Sequence, residues 1–405
     1  MLIMKVLISG ASIAGPAVAY WLVRQGHQVT VVEQAPTVRA GGQAVDFKGA
    51  THRLVLERMG LWDDIQAIRP APVDQHIVDA AGHVRAVIPH EFTGGDVEVL
   101  RGDLGRLLYE RTADTAEYVF DDRITALTSY ADRVEVELRS GRRDSYDLVV
   151  GADGIHSGVR RLAFGPEDDF VEFLGNCYAV VGSNSAAAIE SGDHDRIKSG
   201  DYNRRGRAIG YWYNVPGRLA AIGGPKAPNL YVFSAPKNAY VRGDIGQQKK
   251  LIMDRYADVG WRVPEMLAGL ADAEEFYLDG INRVRMDSYT RPRVVLVGDS
   301  AYGNTLGGFG TGMSVVGAYV LAGELATANG DLNAALAGYD RIMHRYAKVA
   351  RSGSAGPFLA PPSRLRIKLR DLTFRNRTLF GLMMRMTDKF ATDIELPDYA
   401  ESAMS

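Results

Sequence analysis

The run Gly10-Ala11-Ser12-Ile13-Ala14-Gly15 has the spacing of a phosphate-binding turn, with a serine where the usual pattern has its second glycine. Gly10 permits the tight turn, the small Ser12 lets a pyrophosphate approach the backbone, and Gly15 lets helix and strand pack closely. Ile13 and Ala14 lead into the helix, whose free N–H groups and positive dipole end favour phosphate. Glu33 lies 18 positions after Gly15. At the end of the next apolar run its carboxylate can accept both hydroxyls of an adenosine ribose. The same charge repels a 2′-phosphate, so these residues select NAD or FAD over NADP.

Such residues need a strand, a helix and a second strand to hold them. Lys5 to Ser9 (KVLIS) is a continuous apolar run, the pattern of a strand buried on both faces in a parallel sheet. GASIAGPAVAYWLVRQGH reads as a turn and helix, with Pro16 in the first turn and Gly26 near the stop. Gln28 to Glu33 (QVTVVE) is the next strand, which completes one βαβ unit. Arg293 to Val297 (RVVLV) is again a buried parallel-type strand, followed by a glycine-rich turn and a helix through Leu325.

Between these segments the pattern changes. Val73 to Val99 alternates polar and apolar residues, which predicts an antiparallel hairpin turning at Ala81-Gly82. Arg101 to Thr112 returns to helical spacing, and Arg133 to Leu138 with Leu148 to Val150 read as strands flanking a turn at Ser140-Gly141. Tyr178 to Val181, Ala208 to Asn214, Leu219 to Ile222 and Tyr231 to Ser234 predict a second, antiparallel sheet. After Ser352 the chain is helical and basic. Its apolar positions Leu365, Leu369, Leu372, Leu379, Leu382 and Met386 are expected to pack inward while the arginines face water.

Composition narrows the classes. The 405 residues carry a formal net charge of -2, so no global cationic field recruits nucleic acid or an acidic membrane. Cys177 is the sole cysteine and the eight histidines form no HExxH, which excludes an internal disulfide and a Cys-rich zinc site and leaves no metal expected. The N-terminus runs into a strand without a basic region and cleavage site, so no signal peptide is expected. Val315 to Leu325 is too short and glycine-rich for stable membrane insertion. The expected location is cytoplasmic.

Leu148 to Arg160 reads LVVGADGIHSGVR, and Leu296 to Leu325 reads LVGDSAYGNTLGGFGTGMSVVGAYVLAGEL. With the first glycine motif, these resemble the class A flavoprotein aromatic hydroxylases of the para-hydroxybenzoate hydroxylase-like superfamily, which carry GxGxxG, DG and GD motifs in this order. Through GASIAGPAVAYWL, GGQAVDFKG and VGAYVLAGEL the chain is most similar to the tetracycline-inactivating type and its actinobacterial relatives, over roughly residues 1 to 350. The resemblance implies an α/β fold: a Rossmann-like FAD-binding domain over 1–73, 98–175 and 280–352, an inserted, mainly antiparallel β-sheet substrate domain over 74–97 and 176–279, and C-terminal helices over 353–405.

It also implies roles. Asp299 would bond a ribityl hydroxyl of FAD, and the Gly310-Thr311-Gly312 turn would bring backbone N–H groups to the flavin N1 and C2 carbonyl. Arg101, in the segment matching RxDLxxxL, would reach the flavin, Asp153 and Gly154 would form the DG turn, and Ile124 would lend backbone to adenine. No second glycine-rich βαβ unit serves the reductant, so NADPH or NADH would dock transiently. The chain departs from the family at Tyr302, where histidine is frequent, at Thr305-Leu306, where proline is, and at Gly312 and Gly317, where Asn and Asp are common.

The implied activity is an FAD-dependent monooxygenase, consuming O2 and NAD(P)H, that inserts oxygen into an aromatic or polycyclic phenol or enol through a flavin C4a-hydroperoxide. No catalytic side chain is needed, because the cofactor carries the difficult step. Tyr178, Tyr211 and Tyr213 are candidate walls of the substrate cavity. A Baeyer-Villiger outcome shares every motif, and Tyr211-Trp212-Tyr213-Asn214-Val215-Pro216 resembles the halogenase WxWxIP signature with both tryptophans replaced by tyrosine. A non-catalytic flavoprotein that sequesters an aromatic ligand is the rival from another class, and a monomer or homodimer fits either.

Overall fold

The computed structural model describes residues 3–39, 41, 44–182, 207–223, 228–308, 310–350, 353–376, 378–381, 383 and 395–399. The apolar runs form one six-stranded sheet in the order Thr290–Arg291, Val294–Leu296, Leu148–Gly151, Lys5–Ser9, Gln28–Val32, Glu117–Val119. All neighbours pair in parallel except the Thr290–Arg291 edge. The strand that opens the chain is thus flanked by its immediate successor, Gln28–Val32, and by Leu148–Gly151, which returns after a long excursion, as expected of an interrupted Rossmann-like fold. Leu148–Gly151 does not flank the Ser140-Gly141 turn. The strand across that turn is the polar Arg143–Tyr146, antiparallel to Val134–Leu138; Leu148–Gly151, buried throughout, lies beside Lys5–Ser9 instead.

The helix Gly310–Thr327 has apolar residues on every side, the signature of full burial. It packs between the helices Ala14–Arg24, Leu332–Ala350 and Gly49–Arg58.

A seven-stranded sheet runs Phe276–Val284, Val171–Val181, Asn229–Ser234, Arg218–Ile222, Ala208–Val215, Val73–Val78, Val84–Ile88. Only Ala208–Val215 with Val73–Val78 is parallel. One face (Cys177, Ala179, Tyr213, Ala220, Tyr231, Phe233) buries against Ile252, Tyr256, Val263 and Met266 of the helices Ile245–Tyr256 and Val263–Ala268. The other face (Tyr178, Val180, Trp212, Val232, Ile281) packs with Leu306, Leu359 and Phe374. Val171–Val181, with a bulge between Phe173 and Cys177, and Phe276–Val284 extend past residues 175 and 280 and enter the first core at Val171 and Val284. The division into two domains is therefore proposed with these strands shared between them.

A short ribbon, Ala44–Phe47 paired with Val97–Leu100, leads into Arg101 and sets Asp46 opposite Glu98. Burial and the Glu98 charge push the Asp46 carboxyl up to about 8. Its folded-state pKa thus exceeds the unfolded one, so the folded chain holds an extra proton and loses stability as pH rises from the ordinary carboxylate range toward 8. Asp46→Asn should therefore gain on wild type in thermal midpoint between about pH 5 and pH 8. A difference that stays constant across that window contradicts the assignment.

The helix Arg364–Arg375 reverses the amphipathic expectation. Leu365, Leu369, Leu372 and Leu379 are 67, 56, 49 and 43% exposed, whereas Arg370 is buried. Its guanidinium donates to Phe358 O, Asn214 Oδ1 and Asp371 Oδ1, and Phe374 joins Phe92, Phe358 and Phe380. These aromatic and forked contacts fix the inward face. Leu382 and Met386 lie outside the described residues. Among the described residues no helix is long and apolar enough to cross a membrane.

Candidate active site

The glycine turn is held from three sides. Gly10, at φ +104°, has no room for a side chain, since a Cβ would lie 2.4 Å from Ala152 O, and its N–H donates to Val32 O at 2.7 Å. Glu33 accepts from Ala11 N at 2.8 Å and Ala35 N at 2.9 Å. Its carboxylate is thus fixed at the carboxyl end of a parallel strand, where open α/β sheets bind ligands. Arg101 donates to Ser12 Oγ at 3.2 Å, which brings the helix Arg101–Glu110 to the turn. Ile13 caps and Ala14 and Gly15 open the helix Ala14–Arg24. Ile124 is buried at the start of its strand, and the preceding Asp122 N–H donates to Glu33 O at 3.0 Å.

The DG turn is self-contained. Asp153 accepts from Gly158 N at 2.8 Å, Val159 N at 3.1 Å and Ser157 Oγ, so its carboxylate serves the N-terminus of the helix Gly158–Ala163. Gly154 sits at φ +80°. Arg160, fully buried, donates to Ile155 O at 2.5 Å and Ser300 O at 2.8 Å, joining the DG turn to the helix Asp299–Tyr302.

Asp299 opens that helix after Gly298 at φ +73°. Burial raises its carboxyl pKa, against the opposing pull of Arg101, and among the described residues no side-chain hydrogen bond engages it. Gly310 approaches it closely, a Cβ there lying 3.2 Å from Asp299 Oδ1. Gly310, Thr311 and Gly312 form the first turn of the long helix, so free N–H groups stand beside a carboxyl in want of donors. That set suits the hydroxyls and ring edge of FAD.

Two departures from the family pattern have a steric reason here. A Cβ at Gly312 would lie 2.2 Å from the His52 ring, and one at Gly317 would lie 2.1 Å from Tyr302 Oη. His52 and Tyr302 fill the places that Asn and Asp side chains would take. Burial lowers the His52 pKa to about 4, so a neutral imidazole, its Nδ1 accepting from Lys48 N at 3.1 Å, lies behind Gly312. His52 gave no signal in the sequence.

The three tyrosines separate. Tyr178 shares a sheet face with Trp212, against which Leu306 packs, and feels both Arg101 and Asp299. Tyr211 and Tyr213 point to the opposite face, where Trp261 lies 6.5 and 5.5 Å from their ring centres. Strand alternation makes Trp212, not its neighbours, share the Tyr178 face. Tyr277, not singled out from sequence, adds a ring 5.9 Å from Tyr178.

Residues 3–167 match the family model described as FAD binding domain. A flavin-dependent monooxygenase from an unknown prokaryotic organism is 33% identical, covering 98% of this chain and 99% of its own length. The chain belongs to the flavin-dependent monooxygenases. This monooxygenase is similar as well to the FAD-dependent monooxygenase asL4 of Sarocladium schorii, 36% identical over 80% of this chain and 76% of the relative. Among solved structures, tetracycline destructase Tet(55) superposes with a TM-score of 0.78 at 31% identity, covering 98% of this chain and 99% of that one. FAD is the cofactor of the family and NAD(P)H its reductant.

Proposed function

We propose that this monooxygenase inserts one oxygen atom from O2 into an aromatic or polycyclic phenol or enol held between the flavin and the Tyr178 face of the antiparallel sheet, working in the cytoplasm as a monomer or homodimer. FAD, reduced by NAD(P)H, supplies the oxygen chemistry. The chain's residues bind and orient it: Gly10, Ser12, Ile13, Ala14 and Gly15 at the pyrophosphate, Glu33 at the ribose, Ile124 at adenine, Gly154 on the DG turn with Asp153 holding that turn, and Asp299, Arg101 and Gly310 to Gly312 at the flavin end.

The observation that carries the reading is that Tyr178, whose hydroxyl feels the charges of Asp299 and Arg101, belongs to an aromatic and apolar cluster with Val180, Trp212 and Leu306, a surface that suits a flat substrate and keeps water from a reactive oxygen. Two solved neighbours being tetracycline destructases supports a polycyclic substrate. The test is NAD(P)H-driven turnover over a panel of polycyclic phenols, indoles and antibiotics, followed by mass spectrometry. A product heavier by one oxygen, with NAD(P)H oxidation stimulated by its substrate, is expected. Reductant consumption that no panel member stimulates, with no oxygenated product, overturns the reading.

A further inference from the structure

Asp279 lies at the centre of a hydrogen-bonded chain that begins in the cleft and ends at the surface. On the cleft side Tyr277 Oη donates to Asp279 Oδ2 at 2.8 Å. The Tyr277 ring stands beside Tyr178 and keeps 41% of its surface accessible, and the charge of Arg101 reaches both hydroxyls. The register that pairs Tyr178 with Asp279 puts Tyr277 and Asp279 on the same face of their strand. Asp279 itself is 3% exposed.

On the far side His156 Nε2 meets Asp279 Oδ2 and Oδ1 at 2.9 and 3.0 Å, and its Nδ1 stands 3.0 Å from Glu167 Oε1. Tyr240 Oη also donates to Asp279 Oδ1, at 2.6 Å. The charged groups facing the imidazole are therefore Asp279, Glu167 and Arg242, whose Nη2 lies 2.6 Å from Nδ1 and 3.3 Å from Glu167 Oε1. Beyond them stands the Lys237–Asp168 pair. Burial opposes protonation of His156, but its hydrogen bonds to Asp279 and Glu167 outweigh burial and raise its pKa. His156, Glu167, Lys237, Tyr240 and Arg242 line a surface cavity of about 220 Å³.

A flavin-dependent monooxygenase draws one proton from solvent in each turnover. NAD(P)H, O2, a substrate C–H and H⁺ become NAD(P)⁺, C–OH and water. When no substrate is present, O2 takes two electrons and one proton from the reduced enzyme and, with the same solvent proton, leaves as hydrogen peroxide. Where cofactor and substrate cover the reacting atoms, that proton needs a route to them.

We propose that His156, Asp279 and Tyr277 form a proton conduit from the surface cavity to the cleft. The His156 Nε2–H bond breaks as an O–H bond forms on Asp279. The Tyr277 hydroxyl, which donates to Asp279 at rest, turns toward the cleft and gives its proton to the acceptor there as the Asp279 proton passes to the Tyr277 oxygen, and water in the surface cavity reprotonates the imidazole. No group in the chain changes oxidation state. Tyr240 holds Asp279 in place, and Glu167 with Arg242 orients the imidazole.

The conduit requires only the family's proton consumption, so its failure is separable from failure of the substrate reading. The enzyme with FAD bound is reduced beforehand and mixed with O2 in weak buffer containing a pH-indicator dye, with no substrate present. In wild type, proton uptake keeps pace with oxidation of the enzyme, and its rate falls as pH rises through the raised His156 pKa. Tyr277→Phe and Asp279→Asn are each expected to slow uptake by about tenfold or more and to flatten that pH limb. The ¹⁵N resonances of His156 give a second readout. The imidazolium should persist above the ordinary histidine range in wild type and Tyr277→Phe, and be lost in Asp279→Asn. Tyr277→Phe removes one hydroxyl and leaves the ion pairs intact, so it decides the matter even if Asp279→Asn does not fold. Wild-type uptake rate and pH profile in Tyr277→Phe overturn the conduit.

Discussion

Gly15→Ala is expected to produce a chain that folds poorly and holds almost no FAD. A methyl group at this position would lie 1.8 Å from Gly10 O and 3.0 Å from its carbonyl carbon. Both atoms are backbone, so no rotamer change makes room, and the turn must move by roughly 1.5 Å to restore ordinary contact. The turn is not free to move, being fixed by Gly10 N–H to Val32 O and by Glu33 to Ala11 N. Overpacking of this kind costs about 1–3 kcal/mol or more, and here it falls on the backbone that must approach the pyrophosphate. FAD affinity should drop by about 10- to 100-fold. Gly26→Ala is the control: Gly26 has a positive φ of +78° but nothing within 4 Å of a Cβ, so it should lose about 1 kcal/mol of stability and keep its flavin. Saturating FAD should raise the thermal midpoint of wild type and Gly26→Ala and barely move that of Gly15→Ala. Purification of Gly15→Ala with a full complement of flavin would show that the close helix packing at this residue is dispensable.

The parallel strands buried on both faces were legible because such burial leaves an uninterrupted apolar run, as in Lys5–Ser9 and Val294–Leu296; Glu117–Val119, parallel but only half-buried, was not. Arg143–Tyr146 was not, because its run RDSY carries no such signal and is paired only through the turn at Gly141. Period-two alternation located the strand that carries Tyr211, Trp212 and Tyr213 but could not say which of its faces Tyr178 shares, and the structure puts Trp212 there and Tyr211 and Tyr213 on the other. The network around Asp279 escaped for a different reason. His156 was visible within the DG motif, but the carboxylate it meets lies 123 residues away, and no local pattern encodes a contact that arises where two sheets come together. His52 is the same case, a side chain brought from a separate helix to the one spot that Gly312 leaves open.

Arg160 is the residue that makes two of the three motifs one site, and replacing it should expose that coupling. It is wholly buried and donates to one carbonyl of the DG turn and one of the helix that begins with Asp299. Burial lowers its pKa, and the carboxylates of Glu167 and Asp153 act on it only through their charge. Arg160→Lys keeps a buried cation but cannot span both carbonyls with a planar fork. One carbonyl loses its donor, and the expected cost is about 1–3 kcal/mol. Arg160→Leu strips both carbonyls of their donor yet also removes the burden of a desolvated charge, so its stability loss should be no greater. FAD binding should fall by about tenfold or more in both variants, because both release the DG turn from Ser300 and let Asp299 drift from the turn at Gly310. Calorimetric unfolding of the apoprotein together with fluorescence titration of FAD separates the two effects. If both variants bind FAD as wild type does, the two motifs are positioned independently and the arginine is a packing residue alone.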